Sequence, residues 1–172
     1  MQLVFPSIQY KDSYLQAVNE ADVERNPFIT TIARPRKDQP FEDFVKSQID
    51  KSNGLNLPEG WVPATELWLI DNNEVIGTVN IRHFLTDPLL RTGGHIGYYI
   101  RPSKRMHGYG KAILALGLEQ AKRLGLDKVL LTCDETNVGS SKIIEENGGV
   151  LENIVDTEPN HPRKKRYWIT IH

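Results

Sequence analysis

Two apolar runs, residues 95–101 and 126–134, flank a glycine-bearing loop and the most regular helical pattern in the chain. This arrangement constrains the fold more than any other feature. The run from His95 to Arg101 is dense in β-branched and aromatic residues and leads directly into Pro102, so it reads as a strand that must stop there. Ile113, Leu114, Leu118, Ala121 and Leu124 then recur at three- and four-residue spacing, with Gly125 as the stop. LDKVLLTCD follows as a buried strand. Strand, helix and strand in that order make a crossover, so a sheet covered by a helix lies at the centre of the chain.

The remaining segments fit around that unit. Residues 2–8 read as a short strand, and Asp12 or Ser13 caps a first helix with Tyr14, Leu15, Val18 and Ala21 on its apolar side, ending at Asn26-Pro27. Pro40 opens a second helix carrying Phe41, Phe44, Val45 and Ile49. Residues 52–63 form a loop rich in Gly, Asn and Pro. ATELWLI and VIGTVNIRHF, joined by DNNE, predict two antiparallel strands, and residues 85–94 a further loop. After the crossover come a short helix in VGSSKIIEENGG and a pair of strands in VLENIVDT and KKRYWITI. The predicted order is βααββ followed by βαβαββ, in one domain spanning residues 1–172.

Composition narrows the function classes. A net charge of -1 gives no general electrostatic reason to expect nucleic acid or an anionic membrane as partner. No segment reaches the roughly 18 uninterrupted apolar residues of a spanning helix, and the N-terminus does not read as a secretory signal. The single cysteine, Cys133, has no internal disulfide partner and lies in an apolar run, so it reads as a buried strand residue rather than a nucleophile. A reducing, cytoplasmic setting is expected. The five histidines lack metal-ligand spacing, and no metal is expected. Arg163-Lys164-Lys165-Arg166 reads as a solvated hairpin connection.

The loop Arg105-Met106-His107-Gly108-Tyr109-Gly110 carries the chemistry. Between a strand and the head of a long helix, its backbone N–H groups converge with no helical acceptor and attract an anion. Gly108 and Gly110 let a diphosphate approach the main chain, and Lys104, Arg105 and Lys111 offer complementary charge. The spelling fits neither a Walker loop, which needs a glycine at Arg105 and Ser or Thr at Ala112, nor a dinucleotide fingerprint, which needs a glycine at Ile113.

That hexamer resembles the R/Q-x-x-G-x-G/A signature of the GNAT superfamily of N-acetyltransferases. GGHIGYYIRPSKR before it resembles the family's fourth strand, and LGLDKVLLTCDETNVGSSKIIEENGG after it resembles the fifth strand and following helix. Asn137, Ser140 and Gly148 match a common N-x-x-[AS]-x(7)-G pattern. The resemblance is strong over about residues 95–151. It implies an α/β architecture of the α+β-like kind: a single mixed, mostly antiparallel central sheet flanked by helices, with fourth and fifth strands splayed into a V for the pantetheine arm of coenzyme A. Backbone groups of Tyr98, Tyr99 and Ile100 are then expected to bond pantetheine and polarise the thioester. The amides of Met106, His107, Gly108, Tyr109, Gly110 and Lys111, beside Arg105, are expected to receive the pyrophosphate. Asn137 and Ser140 either contact the pantetheine arm or start a helix.

Acyl transfer to an amine needs an unprotonated nucleophile, oxyanion stabilisation and a proton for the departing thiolate. Deprotonating a lysine-like amine at neutral pH corresponds to roughly 4 to 5 kcal/mol, so a base is useful. His95 leads as that base, standing where many members of the superfamily carry a glutamate; His83 and Glu66 come next. Asp134 and Glu135, at the edge of the fifth strand, suit capping or active-site polarity. The family's usual tyrosine acid position holds Ile144, which leaves Tyr98, Tyr99, water or direct thiolate release. The expected activity is acetyl transfer from acetyl-CoA to a primary amine in a ternary complex. Another acyl group or acceptor, or a CoA-binding regulatory module without turnover, are the alternatives. The acceptor, a small amine or a protein amino group, is expected to meet the first two helices and the loops 26–37 and 52–63. The sequence leaves the oligomeric state open.

Overall fold

The computed structural model describes residues 1–24 and 33–172. Its elements, in chain order, are β1 (Gln2–Val4), α1 (Lys11–Glu24), α2 (Phe41–Ser52), β2 (Ala64–Asp71), β3 (Glu74–Arg82), β4 (Ile96–Ile100), α3 (Tyr109–Arg123), β5 (Lys128–Asp134), α4 (Val138–Glu146), β6 (Val150–Val155) and β7 (Lys164–Thr170). The order agrees with the sequence pattern, and the differences are local. β1 stops well short of residue 8, because Pro6 has no amide for the ladder, and Ile8–Tyr10 wind into a 3-10 turn. Ser13 does not cap α1: its hydroxyl accepts the Val75 amide at 2.8 Å and ties the helix to β3. The expected end of α1 at Asn26-Pro27 lies outside the described residues. Residues 89–93, read as loop, form one π-helical turn.

Strand pairing divides the sheet into two hydrogen-bonded parts, β1-β2-β3-β4 and β5-β7-β6, every ladder antiparallel. Asn72 and Asn73, both in the left-handed region, make the two-residue turn between β2 and β3. β4 and β5, the two ends of the crossover, meet at one end only. There the His95 amide donates to the Leu130 carbonyl at 2.7 Å, and the Cβ that any other residue would bring at Gly94 would stand 2.6 Å from that same oxygen. Beyond this seam no ladder joins the two strands among the described residues.

Alternation along the strands sorts residues into two cores. Leu67, Leu69, Val79 and Ile81 pack against Ile113 and Leu114 of α3, with Tyr167 and Ile169 of β7 completing that core. Trp68 and Ile70 turn the other way and join Tyr14, Phe41 and Phe44 of α1 and α2. Tyr14 stacks on Trp68 at 4.1 Å between ring centroids, a contact worth about 0.5–1.5 kcal/mol beyond its buried area. Register places Glu66, Asn80 and Gly97 in one row across β2, β3 and β4, with Ala64 and Arg82 in the next.

Candidate active site

Where β4 and β5 part, they open a cleft of about 530 Å³. Ile96–Ile100 form one wall and Leu131–Asp134 the other, with Asn137, Ser140 and Ile143 from the head of α4. Arg105, Met106 and Gly110 stand at one end, Arg82, Thr92 and Gly93 at the other. β3 engages alternate residues of β4: Arg82 donates to the His95 carbonyl at 2.8 Å and Arg101 donates to the Ile76 carbonyl at 3.1 Å. By the phase of an antiparallel ladder, the backbone groups of Ile96, Tyr98 and Ile100 turn away from β3 toward the cleft.

At the head of α3 the chain makes an open ring of amides. Met106 and Gly108 both take the left-handed conformation, with φ 63° and 82°, and Met106 is fully exposed. Gly108 tolerates that conformation without the penalty a Cβ imposes. Its carbonyl accepts the Ala112 amide at 3.2 Å, the first bond of the helix. Among the described residues the amides from Met106 to Lys111 have no protein acceptor, as expected of a first turn. Gly110 keeps this turn close to α4: a Cβ there would meet Ile143 Cδ1 at 2.6 Å. His107 turns its Nδ1 to the Arg105 carbonyl at 2.6 Å, and the Tyr109 hydroxyl donates to Asp71 at 2.7 Å.

The cations expected to serve the anion are engaged elsewhere. Arg105 makes a two-pronged pair with Glu24 of α1 at 2.6 and 2.9 Å and donates its Nε to the Ile100 carbonyl at 3.1 Å. The Arg105 hydrogen bond holds the Glu24 carboxyl below its ordinary range. Lys104 pairs with Glu74 at 2.5 Å, and Lys111 lies 3.4 Å from Glu146 at the exposed surface. The donors left without a partner in this loop are therefore those of its backbone, among the described residues.

Tyr98 and Tyr99 point to opposite faces. Tyr98 crosses the cleft, and its hydroxyl lies 3.0 Å from Ser140 Oγ. Burial pushes its phenol up to about 12, so it stays protonated at neutral pH. Tyr99 belongs to the α1–α2 core, with the Arg105 guanidinium 5.5 Å from its ring centre. Asn137 caps α4, its Oδ1 accepting the Ser140 amide at 3.0 Å. It therefore takes the helix-start role, whereas Ser140 presents its hydroxyl to Tyr98. Ile144 is buried in the core. Cys133 is buried as expected, 3.5 Å from Ser141 Oγ, and burial raises its thiol pKa.

The three candidate bases separate clearly. His95 Nδ1 accepts the Leu130 amide at 2.9 Å, which commits the basic nitrogen of the neutral ring and leaves the proton on Nε2. Burial, then the nearby Arg82 charge, lower its pKa. With Nδ1 engaged in this way, the His95 ring stands in for a strand partner at the β4–β5 seam. His83 Nε2 is 2.9 Å from Thr65 Oγ1, which in turn meets Ser52, at the far edge of the sheet. Glu66 is fully buried. Its Oε2 accepts from Asn80 at 3.1 Å, and its Oε1 has no partner among the described residues. Desolvation drives its carboxyl up to about 8.

The family model described as an acetyltransferase (GNAT) domain matches residues 3–150. The chain belongs to the GNAT acetyltransferase family. It is accordingly an N-acetyltransferase. Solved acetyltransferases share the fold. The microcin C7 self-immunity acetyltransferase MccE, determined with acetyl-CoA and AMP, is 18% identical at a TM-score of 0.67, covering 98% of this chain and 91% of its own. Mycobacterium smegmatis RimJ, determined with CoA-disulfide, is 14% identical at 0.70, covering 98% and 80%. RimL, a ribosomal L7/L12 α-N-protein acetyltransferase, is 16% identical at 0.67, covering 98% and 89%. No curated protein sequence matches the chain.

Within this GNAT domain, sequence reasoning passed over Asn80 and Arg82. The signal was present: Thr78, Asn80 and Arg82 alternate with Val79 and Ile81, the pattern of a strand with one apolar and one polar face. Arg82 NH1 donates to the carbonyls of Gly94 at 2.8 Å and Gly93 at 3.2 Å, at the end of the cleft opposite the α3 loop. The basic run 163–166 opens β7 and is held by acidic neighbours: Arg163 by Glu135, Lys164 by Asp134 and Arg166 by Glu152.

Proposed function

We propose that this GNAT domain, taken as residues 1–172, transfers the acetyl group of acetyl-CoA directly to a primary amine in a ternary complex in the β4–β5 cleft. The observation that carries this reading is the continuity between two sets of free backbone donors: the amides of 106–111 at the head of α3 and the unladdered edge of β4. The first suits a pyrophosphate, and the second suits the amides of a pantetheine arm and the thioester carbonyl.

The ammonium gives one proton to a base, the neutral amine nitrogen attacks the thioester carbonyl carbon, the C–N bond forms, the C–S bond breaks with sulfur leaving as thiolate, and the second proton lost by nitrogen reaches that thiolate through solvent. The Tyr98 amide, turned to the cleft, suits the developing oxyanion. Its hydroxyl, protonated and close to Ser140, is the donor nearest the path of the leaving thiolate. With a pKa above that of a thiol, it stabilises the thiolate by a hydrogen bond more readily than by giving up its proton.

For the ammonium proton we assign Glu66, two strands from the cleft wall in the row it shares with Asn80 and Gly97, acting through water. Of the three candidates it alone has a buried acceptor atom without a partner among the described residues, and a carboxyl near 8 suits a base at neutral pH. No described helix is long and apolar enough to cross a membrane. A cytoplasmic site of action is part of the same proposal. Thiol release from acetyl-CoA across a panel of amines tests the reading. Transfer to one or more amines is expected, and binding of acetyl-CoA without any transfer would replace the enzyme with a CoA-binding module.

A further inference from the structure

Arg82 is a partly buried cation without a carboxylate. Its NH1 is spent on the two carbonyls of the Gly93–Gly94 turn, and no acidic side chain pairs with it among the described residues. Residues 25–32, the undescribed segment, contain no Asp or Glu. The other two cations of the cleft wall, Arg105 and Lys164, are each neutralised by an acid. A half-buried guanidinium compensated only by carbonyl dipoles keeps most of its attraction for an anion.

The residue is also held rigidly. Its amide donates to the His95 carbonyl in the ladder, and the turn that anchors NH1 cannot shift outward because Gly94 is packed against Leu130. The Arg82 side chain lines the cleft at the end farthest from the 106–111 amides. An acyl donor lying with its pyrophosphate on those amides extends its thioester toward Arg82. An anion bound there therefore belongs to the acceptor and not to the donor. Burial also lowers the Arg82 pKa somewhat, as expected of a charge lacking a counter-ion.

We propose that Arg82 is a carboxylate-binding residue, and that the acceptor is an amine bearing a carboxylate close to its amino group, the chemical class of the amino acids. This rests on the acetyl-transfer reading above. A planar guanidinium with free N–H groups pairs with a carboxylate through two parallel hydrogen bonds and so fixes both position and orientation. The carboxylate would hold the amine at a set distance from the thioester, which is the positional advantage an acyl transfer needs.

The test has a kinetic arm and a binding arm. In the first, the standard amino acids and their carboxamides are compared as acceptors by thiol release, for the parent protein, Arg82→Gln and Arg82→Lys. The parent is expected to prefer at least one carboxylate over its amide by roughly 10- to 100-fold in kcat/KM, the range for a charge-assisted hydrogen bond. Arg82→Gln should abolish that preference through KM while leaving the amide's rate and CoA affinity unchanged, and Arg82→Lys should restore part of it. In the second arm, calorimetry on the CoA-loaded protein compares N-acetylamino acids with N-acetylamino acid amides. Binding of the carboxylates that disappears in Arg82→Gln supports the inference even without turnover, in which case the acetyl-transfer reading falls and the carboxylate site stands. Turnover of amines with no carboxylate preference in the parent overturns the inference and leaves the enzyme intact. A loss of CoA affinity in Arg82→Gln overturns it as well, since Arg82 then serves the donor.

Discussion

The imidazole of His95 accepts the Leu130 amide at 2.9 Å while the His95 amide donates to the Leu130 carbonyl at 2.7 Å. One residue thus satisfies both backbone groups of a partner strand at the point where the ladder between β4 and β5 ends. His95→Ala strands the Leu130 N–H in a buried position, at a cost of about 1–3 kcal/mol. Urea unfolding should register that loss. The pKa of His95 is lowered in the fold, so between the folded value and 6.5 the unfolded chain binds more protons. Its contribution to stability is therefore present above pH 6.5 and is lost as pH falls through the folded value. The parent should lose stability on acidification more steeply than His95→Asn, whose amide oxygen also accepts from Leu130; equal slopes would contradict the neutral, accepting ring.

Glu66 has the opposite linkage. Its carboxyl rises to about 8 in the fold from 4.5, so its contribution is fully present below pH 4.5 and is lost as pH rises through 8. Glu66→Gln should flatten that decline, leaving the variant more stable than the parent at pH 8–9 by at most about 1.4 kcal/mol per pH unit crossed in the window. With an acceptor amine neutral throughout, parental kcat/KM should rise as pH approaches 8, and Glu66→Gln should be slower by about 10²-fold with a flat profile. A folded variant with parental rates at every pH would remove Glu66 from the mechanism.

Gly94 is the steric lock of the seam, with φ 69° and no room for a Cβ against Leu130. Gly94→Ala combines a disfavoured backbone with a backbone clash and should cost more than about 2 kcal/mol. Thermal unfolding checks this. A variant melting within a degree or two of the parent would show that the turn adapts.

The crossover and its glycine loop were legible because both are local: periodicity marks α3, Pro102 ends β4, and two glycines punctuate the helix head. The polar row on β3 was equally local but was hidden in a run that reads first as apolar. What sequence did not disclose joins residues far apart in the chain. Glu24 claims Arg105 from 81 positions away, turning an expected source of charge for the phosphate into a tie between α1 and the loop before α3. His95 becomes a strand surrogate only because Leu130 arrives beside it after the crossover. β1 was overextended because Pro6 was counted as part of the strand.

The central claim is that coenzyme A lies with its pyrophosphate on the amides of Met106 to Lys111 and its pantetheine along β4. Backbone amide resonances followed by ¹⁵N–¹H NMR during titration with CoA report on it directly. The amides of Met106, His107, Gly108, Tyr109, Gly110 and Lys111 should show the largest shifts, moving downfield as each gains an acceptor, with the cleft-facing amides of Tyr98 and Ile100 moving with them. CoA binding that leaves these amides unmoved while perturbing another part of the surface would contradict the account.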